Sequence, residues 1–170
     1  RVRLIKQPIN HGVVIARNLG VEQARGEFVC CLDGDDEISS GYLSGLVPLL
    51  ASDKTAGIAA PTWYAFSEDT GKKSGVFNLK DGITFDELKS GNKIPCASLF
   101  RRKAWIGIGG QKQINPSWED YDMWLSLVEA GWGVACHTGN PLFHYTLKST
   151  SGRNMESQGQ ERRLRAQVNA

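Results

Sequence analysis

The sequence predicts a three-layer α/β fold with a mostly parallel sheet, and three observations carry that expectation. A strand–helix–strand succession opens the chain, an unbroken apolar run of strand length stops at an acidic cluster, and an amphipathic helix follows later between further short strands. Strands covered on both faces read as continuous apolar runs, so the second feature points to a sheet with helices on either side. At 170 residues, 41% of them apolar, the chain is long enough for one domain with a sizeable core.

Residues 2–5 read as a short strand, and residues 13–25 as a helix closed by Gly26, a residue suited to the left-handed turn after a helix. Residues 27–32, Glu-Phe-Val-Cys-Cys-Leu, form the apolar run, which ends at Asp33-Gly34-Asp35-Asp36. A helix over residues 40–50 carries Pro48, which disfavours its last turn, and a strand follows near residues 57–60. Residues 62–79 mix aromatic, glycine and charged residues and read as strand plus loop. Thr84 and Glu87 have the spacing of a capping box that starts a short helix, and residues 96–100 read as a strand. Ser117 and Asp120 form a second capping-box spacing. Tyr121, Trp124, Leu125 and Val128 then recur at helical intervals, predicting an amphipathic helix that runs to Gly131. Strands near residues 132–136 and 141–145 complete the core. Residues 1–147 thus form the domain, and residues 148–170 a polar, Arg-rich tail of helical character.

A formal charge of +2 gives no electrostatic case for nucleic acid or an anionic membrane as partner. Cys30, Cys31, Cys96 and Cys136 show neither a CxxC pair nor zinc-ligand spacing, so they read as reduced thiols of a cytoplasmic protein. No apolar run reaches 18 residues, and the start at Arg1 has neither a signal-peptide core nor an initiating Met, so the chain reads as a piece of something longer.

In an open α/β sheet, ligands bind beyond the carboxyl ends of the strands, which is where Asp33, Asp35 and Asp36 project. Three carboxylates within four residues repel one another, and an oxygen-preferring divalent cation would relieve them. The same cluster could instead cap the following helix. An EF-hand does not fit, because Glu37 and Ile38 stand where that loop needs an acidic or amide residue and then glycine.

Taken together, Asn10-His11-Gly12, Ala16-Arg17-Asn18, Gly26-Glu27-Phe28, Leu32-Asp33-Gly34-Asp35-Asp36, Gly109-Gly110 and Glu119-Asp120-Tyr121-Asp122-Met123-Trp124-Leu125 resemble the family 2 glycosyltransferases of GT-A fold, from residue 4 to residue 146. The resemblance implies an inverting enzyme that moves a sugar from a nucleotide-diphosphate donor, a UDP-sugar, to a saccharide or lipid-linked acceptor in polysaccharide or glycoconjugate assembly. It implies that Asp33-Gly34-Asp35 is the DxD motif, with Asp33 facing the donor's ribose or sugar and Asp35 on Mn²⁺ or Mg²⁺, and that Asp36 assists through water. The resemblance further implies that Arg17 stands near the donor nucleotide, that Gly12 joins the donor-binding set, that Asp120 is the catalytic base, and that His144 is a third contact to the metal or diphosphate. Each has a plainer alternative: Asp120 as the N3 member of the second capping box, His144 as a core or edge-strand histidine, Arg17 as a solvated helix cation.

Two departures qualify the resemblance. The family's first strands, which bind base and ribose, have no counterpart here, so the chain is expected to present half of a donor pocket and an uncovered sheet edge. The family's Tyr-Arg-x-His reads Tyr145-Thr146-Leu147-Lys148, which leaves Lys148 as a point charge for a diphosphate. The runner-up is an inactive fragment or binding module of a larger glycosyltransferase-like protein. An aspartate-nucleophile phosphatase shares the Asp-x-Asp after an apolar strand but lacks its Gly-Thr continuation here. Acceptors of this kind place the protein in the cytoplasm, with peripheral association at the inner face of the membrane allowed.

Overall fold

Ala56, Gly57, Ile58, Ala59 and Ala60 are all buried, and this run of small and branched residues is the strand around which the chain is built. The computed structural model describes residues 2–114 and 118–147. Its elements, in chain order, are α1 (Val13–Gln23), β1 (Phe28–Val29), β2 (Glu37–Ile38), α2 (Tyr42–Ser52), β3 (Ala56–Ala60), β4 (Trp63–Ser67), α3 (Phe85–Lys89), β5 (Leu99–Arg101), α4 (Arg102–Gly107), α5 (Glu119–Glu129), β6 (Gly133–Cys136) and β7 (Phe143–Leu147).

The main sheet has the order β1-β5-β3-β6. β5 is antiparallel to both of its neighbours, whereas β3 and β6 are parallel, so β1, β3 and β6 share one direction and β5 is reversed. The reversal follows from the path of the chain: Leu99 enters opposite Ala59, near the carboxyl end of β3, and runs back along it. The smaller sheet, β2-β7-β4, pairs β7 in parallel with β4 and antiparallel with β2.

Helices cover the main sheet on both faces. Tyr42, Leu46 and Leu50 of α2 pack with Ala56, Ala59 and Leu99 on one face. On the other, Trp124 and Leu127 of α5, Leu88 of α3 and Ala104 and Trp105 of α4 close over Ile58, Ala60 and Phe100. Neighbouring residues Leu99 and Phe100 therefore serve opposite layers, as the alternation of a strand requires. Pro48 lies inside α2 without ending it. At Gly110 the backbone has φ 82°, and an added Cβ would meet the Trp105 ring at 2.8 Å, so both conformation and space call for glycine.

Several expectations change at the edges. Residues 2–5 form no strand, and Val2 and Leu4 are exposed, because no described strand offers them a hydrogen-bonding ladder. The first helix ends at Gln23, with Ala24 as C-cap in extended conformation, and Gly26 is not in the left-handed region. Of the apolar run 27–32, only Phe28 and Val29 pair as a strand, opposite Arg101 and Phe100. The capping box at Thr84 and Glu87 is formed, with Thr84 Oγ1 accepting from the Glu87 N–H and Glu87 accepting from the Thr84 N–H. The second box cannot be read in the same way: Ser117 lies outside the described residues, and α5 starts after Trp118 with no side-chain cap. Lys148 and the tail 148–170 also lie outside the described residues.

Candidate functional site

The site is assembled from four separated pieces of chain. α1 carries Arg17, the segment leaving β1 carries Asp33, the stretch between α3 and β5 brings Asn92 and Cys96, and the first turn of α5 supplies Glu119 and Asp120. With Trp63, Trp118 and Tyr145 they line a cavity of about 300 Å³.

Arg17 is the hub. One of its terminal nitrogens donates to both oxygens of Asp33, at 2.7 and 2.9 Å, and the other donates to Glu119 Oε1 at 3.0 Å. Burial works against its charge, but the Asp33 hydrogen bonds and the fields of Asp33 and Glu119 outweigh it, so the pKa of Arg17 is raised. Asn18, the next residue, fixes the helix that carries Arg17. Its amide donates to the Gln111 carbonyl at 2.8 Å and accepts from the Gln111 N–H at 3.0 Å.

Asp120 lies beside this pair. Its Oδ1 accepts the N–H of Tyr121 at 2.8 Å, and its Oδ2 accepts from Asn92 Nδ2 at 3.1 Å. Desolvation, reinforced by the Glu119 charge and only partly offset by the Tyr121 N–H, Arg17 and Asn92, pushes its pKa up to about 6. A carboxyl group tuned toward neutrality in a cleft has the property a general base needs.

Asp35 and His144 meet in a second cleft, with Gly34, Tyr64 and Lys73 in its wall. The His144 ring stacks on Tyr64 with centroids 4.4 Å apart, and its Nδ1 lies 3.8 Å from Glu37 Oε2. Asp36 faces the interior, accepting the Thr146 N–H at 2.8 Å. Desolvation, with the charges of Asp33 and Asp35 adding to it against that N–H, raises Asp36 to about 6. Asp33, Asp36 and Cys96 offer atoms within 4.8 Å of one another. The thiol is a poor member of that set, since burial and the charges of Asp120, Asp33 and Asp36 hold it protonated. Asp35 and His144 line the second cleft with Glu37, but neither belongs to the converging group of Asp33, Asp36 and Cys96 found among the described residues.

Arg17, Asp33 and Asp120 therefore share one cleft, Asp35 and His144 the adjoining one, and Asp36 lies behind them. Gly12 lines neither; it is the exposed N-cap of α1, with φ 87°. Sequence alone does not mark Asn18, Asn92 or Cys96 as site residues. Asn18 and Glu119 stand inside the Ala16-Arg17-Asn18 and Glu119-Asp120 motifs, whereas Asn92 carries no local signal.

The pattern of glycosyl transferase family 2 matches residues 1–108. The chain belongs to that family. Among its relatives, a Haemophilus influenzae protein described as an uncharacterized glycosyltransferase is 26% identical over 76% of this chain and 50% of its own length. TuaG of Bacillus subtilis, described as a putative teichuronic acid biosynthesis glycosyltransferase, is 22% identical over 89% of this chain and 59% of its own length. The chain thus spans little more than half of these family members. Among solved structures, S. aureus TarS in complex with UDP-GlcNAc superposes with a TM-score of 0.66 at 13% identity, covering 84% of this chain and 41% of that one. This is the GT-A fold expected of the family. Among the described residues, no helix is long and apolar enough to cross a membrane.

Proposed function

We propose that this family 2 chain carries the reaction centre of an inverting, metal-dependent glycosyltransferase that moves a sugar from a UDP-sugar to a saccharide or lipid-linked acceptor. The observation that carries the reading is the position of Asp120: a half-buried carboxylate raised to about 6, one residue from the Glu119 that Arg17 ties to Asp33.

In this reading Asp120 accepts the proton of the acceptor hydroxyl as that oxygen attacks the anomeric carbon from the face opposite the diphosphate. A positioned carboxylate contributes about 10² to 10⁴-fold to such a step. No protein nucleophile takes part, so configuration inverts. Asp33 and Arg17 orient the donor at its ribose or sugar, with Asp36 assisting through water. Asp35, with His144, would hold Mn²⁺ or Mg²⁺, which when bound neutralises charge growing on the diphosphate leaving group. The UDP part of the reading is supported by TarS, whose complexes contain UDP-GlcNAc and UDP. Assembly of a polysaccharide or glycoconjugate is supported by the name of TuaG. A cytoplasmic setting, with the acceptor met at the inner membrane face, belongs to the same proposal.

Calorimetric titration of UDP with and without Mn²⁺, on the wild type and on Asp35→Ala, tests it. Binding that requires Mn²⁺ and is lost in Asp35→Ala is the expected result. A wild type that binds no UDP under either condition would move the assignment to an inactive fragment or binding module.

A further inference from the structure

Both oxygens of Asp120 are held, from two unrelated parts of the chain. The Tyr121 N–H is local and comes with the start of α5. The Asn92 N–H arrives from 28 residues away, on the segment between α3 and β5. The other end of that amide shows what holds it: Asn92 Oδ1 is buried and has no hydrogen-bond partner. A buried carbonyl without a partner is a cost, carried here by an amide whose two ends could be exchanged. Turning it would set carbonyl oxygen against carboxylate oxygen, so a charged Asp120 dictates the orientation that is found.

The charged and titratable groups that share this environment are Glu119 on α5, Arg17 on α1, Asp33 after β1, Lys93 and Cys96 before β5, and Tyr145 on β7. Glu119 opposes charge on Asp120. Arg17 favours it, yet its hydrogen bonds go to Asp33 and Glu119. Among the described residues, Asn92 is thus the side chain that donates directly to Asp120.

We propose that Asn92 is a positioning residue for the base: its N–H fixes the plane of the Asp120 carboxylate and keeps it in the charged, proton-accepting form. The word base rests on the function proposed above; the interaction itself does not.

The test follows the Asp120 carboxyl by NMR in the full chain labelled with ¹³C-aspartate, with its resonance assigned by its loss in Asp120→Asn. Asn92→Ala is expected to raise the Asp120 midpoint by about one pH unit, the share of one N–H donor among the two or three that together depress a carboxylate by about two. Asn92→Asp, which keeps the shape but replaces the donor by a second carboxyl, is expected to raise it further. Should Asn92→Ala not fold, the isosteric variant carries the test. An Asp120 midpoint that stays at its wild-type value in a folded variant would overturn the proposal. Because the readout needs neither donor nor acceptor, the two readings separate: a shifted midpoint in a chain that binds no UDP keeps the role of Asn92 and removes the transferase, and UDP binding with an unmoved midpoint does the reverse.

Discussion

Two arginines, Arg101 buried and Arg17 half-buried, hold this molecule together in different ways. Arg101, only 1% exposed, donates to main-chain carbonyls: Ala56 at 2.8 Å, Asp53 at 3.1 Å and Leu50, with Glu27 at its outer edge at 2.8 Å. It ties the end of β5 to the end of α2 and the start of β3. Among the described residues, Arg17 donates to the side-chain carboxylates of Asp33 and Glu119, at the wall of the cleft. Carbonyls have fixed positions and no titration, whereas carboxylates can take a proton, accept a cation or swing toward a ligand. The scaffold is thus fastened to groups that do not change and the site to groups that do.

The largest test of this division is Asp120→Asn. It keeps the shape of the cleft and removes the proton acceptor, so transfer by the intact enzyme is expected to fall by about 10² to 10⁴-fold in a kinetic assay while the melting temperature stays close to wild type. The next pits the arginines against each other. Arg101→Met strands several buried carbonyls and is expected to cost about 3 kcal/mol in urea unfolding, equally at pH 5 and pH 7. Arg17→Met is expected to cost about 2 kcal/mol at pH 7 and less at pH 5. The sign follows because the Arg17 charge is among the groups that hold the Asp120 carboxyl down, so its removal raises that carboxyl further. A raised carboxyl contributes its full stability below its unfolded pKa and loses it as the pH climbs through the native value. Equal pH dependence in the two variants would break the comparison. The smallest effect is an acid limb: with Asp120 at about 6, kcat/KM is expected to drop about tenfold per pH unit below that point, as the base becomes protonated.

What could be read from the sequence was what sequence encodes locally. The spacing of Tyr121, Trp124, Leu125 and Val128 placed α5, and Thr84 with Glu87 placed α3, because the interacting residues lie within a turn or two of each other. The acidic cluster was placed beyond an apolar run, and Asp33, Asp35 and Asp36 do follow β1. Residues 2–5 look like a strand by composition and form none, since a strand exists only with a partner ladder, and residue type says nothing about whether one is present. The hub at Arg17 was hidden for a related reason. Its bond to Glu119 spans 102 residues, and nothing in Ala16-Arg17-Asn18 says which acid will arrive. Asn92 was hidden most completely, because an asparagine in a loop ordinarily signals a turn and not a hydrogen bond to an acid 28 residues on.

The separation of the pieces has a temporal consequence. Arg17 and Asp33 are 16 residues apart and emerge from the ribosome almost together, whereas Glu119 and Asp120 come some hundred residues later. Chain made in order from its amino end can bring Arg17 and Asp33 together early, before Glu119 and Asp120 have been synthesised. A chain halted before α5 would carry Arg17 and Asp33 and lack Asp120, the base of the proposed function.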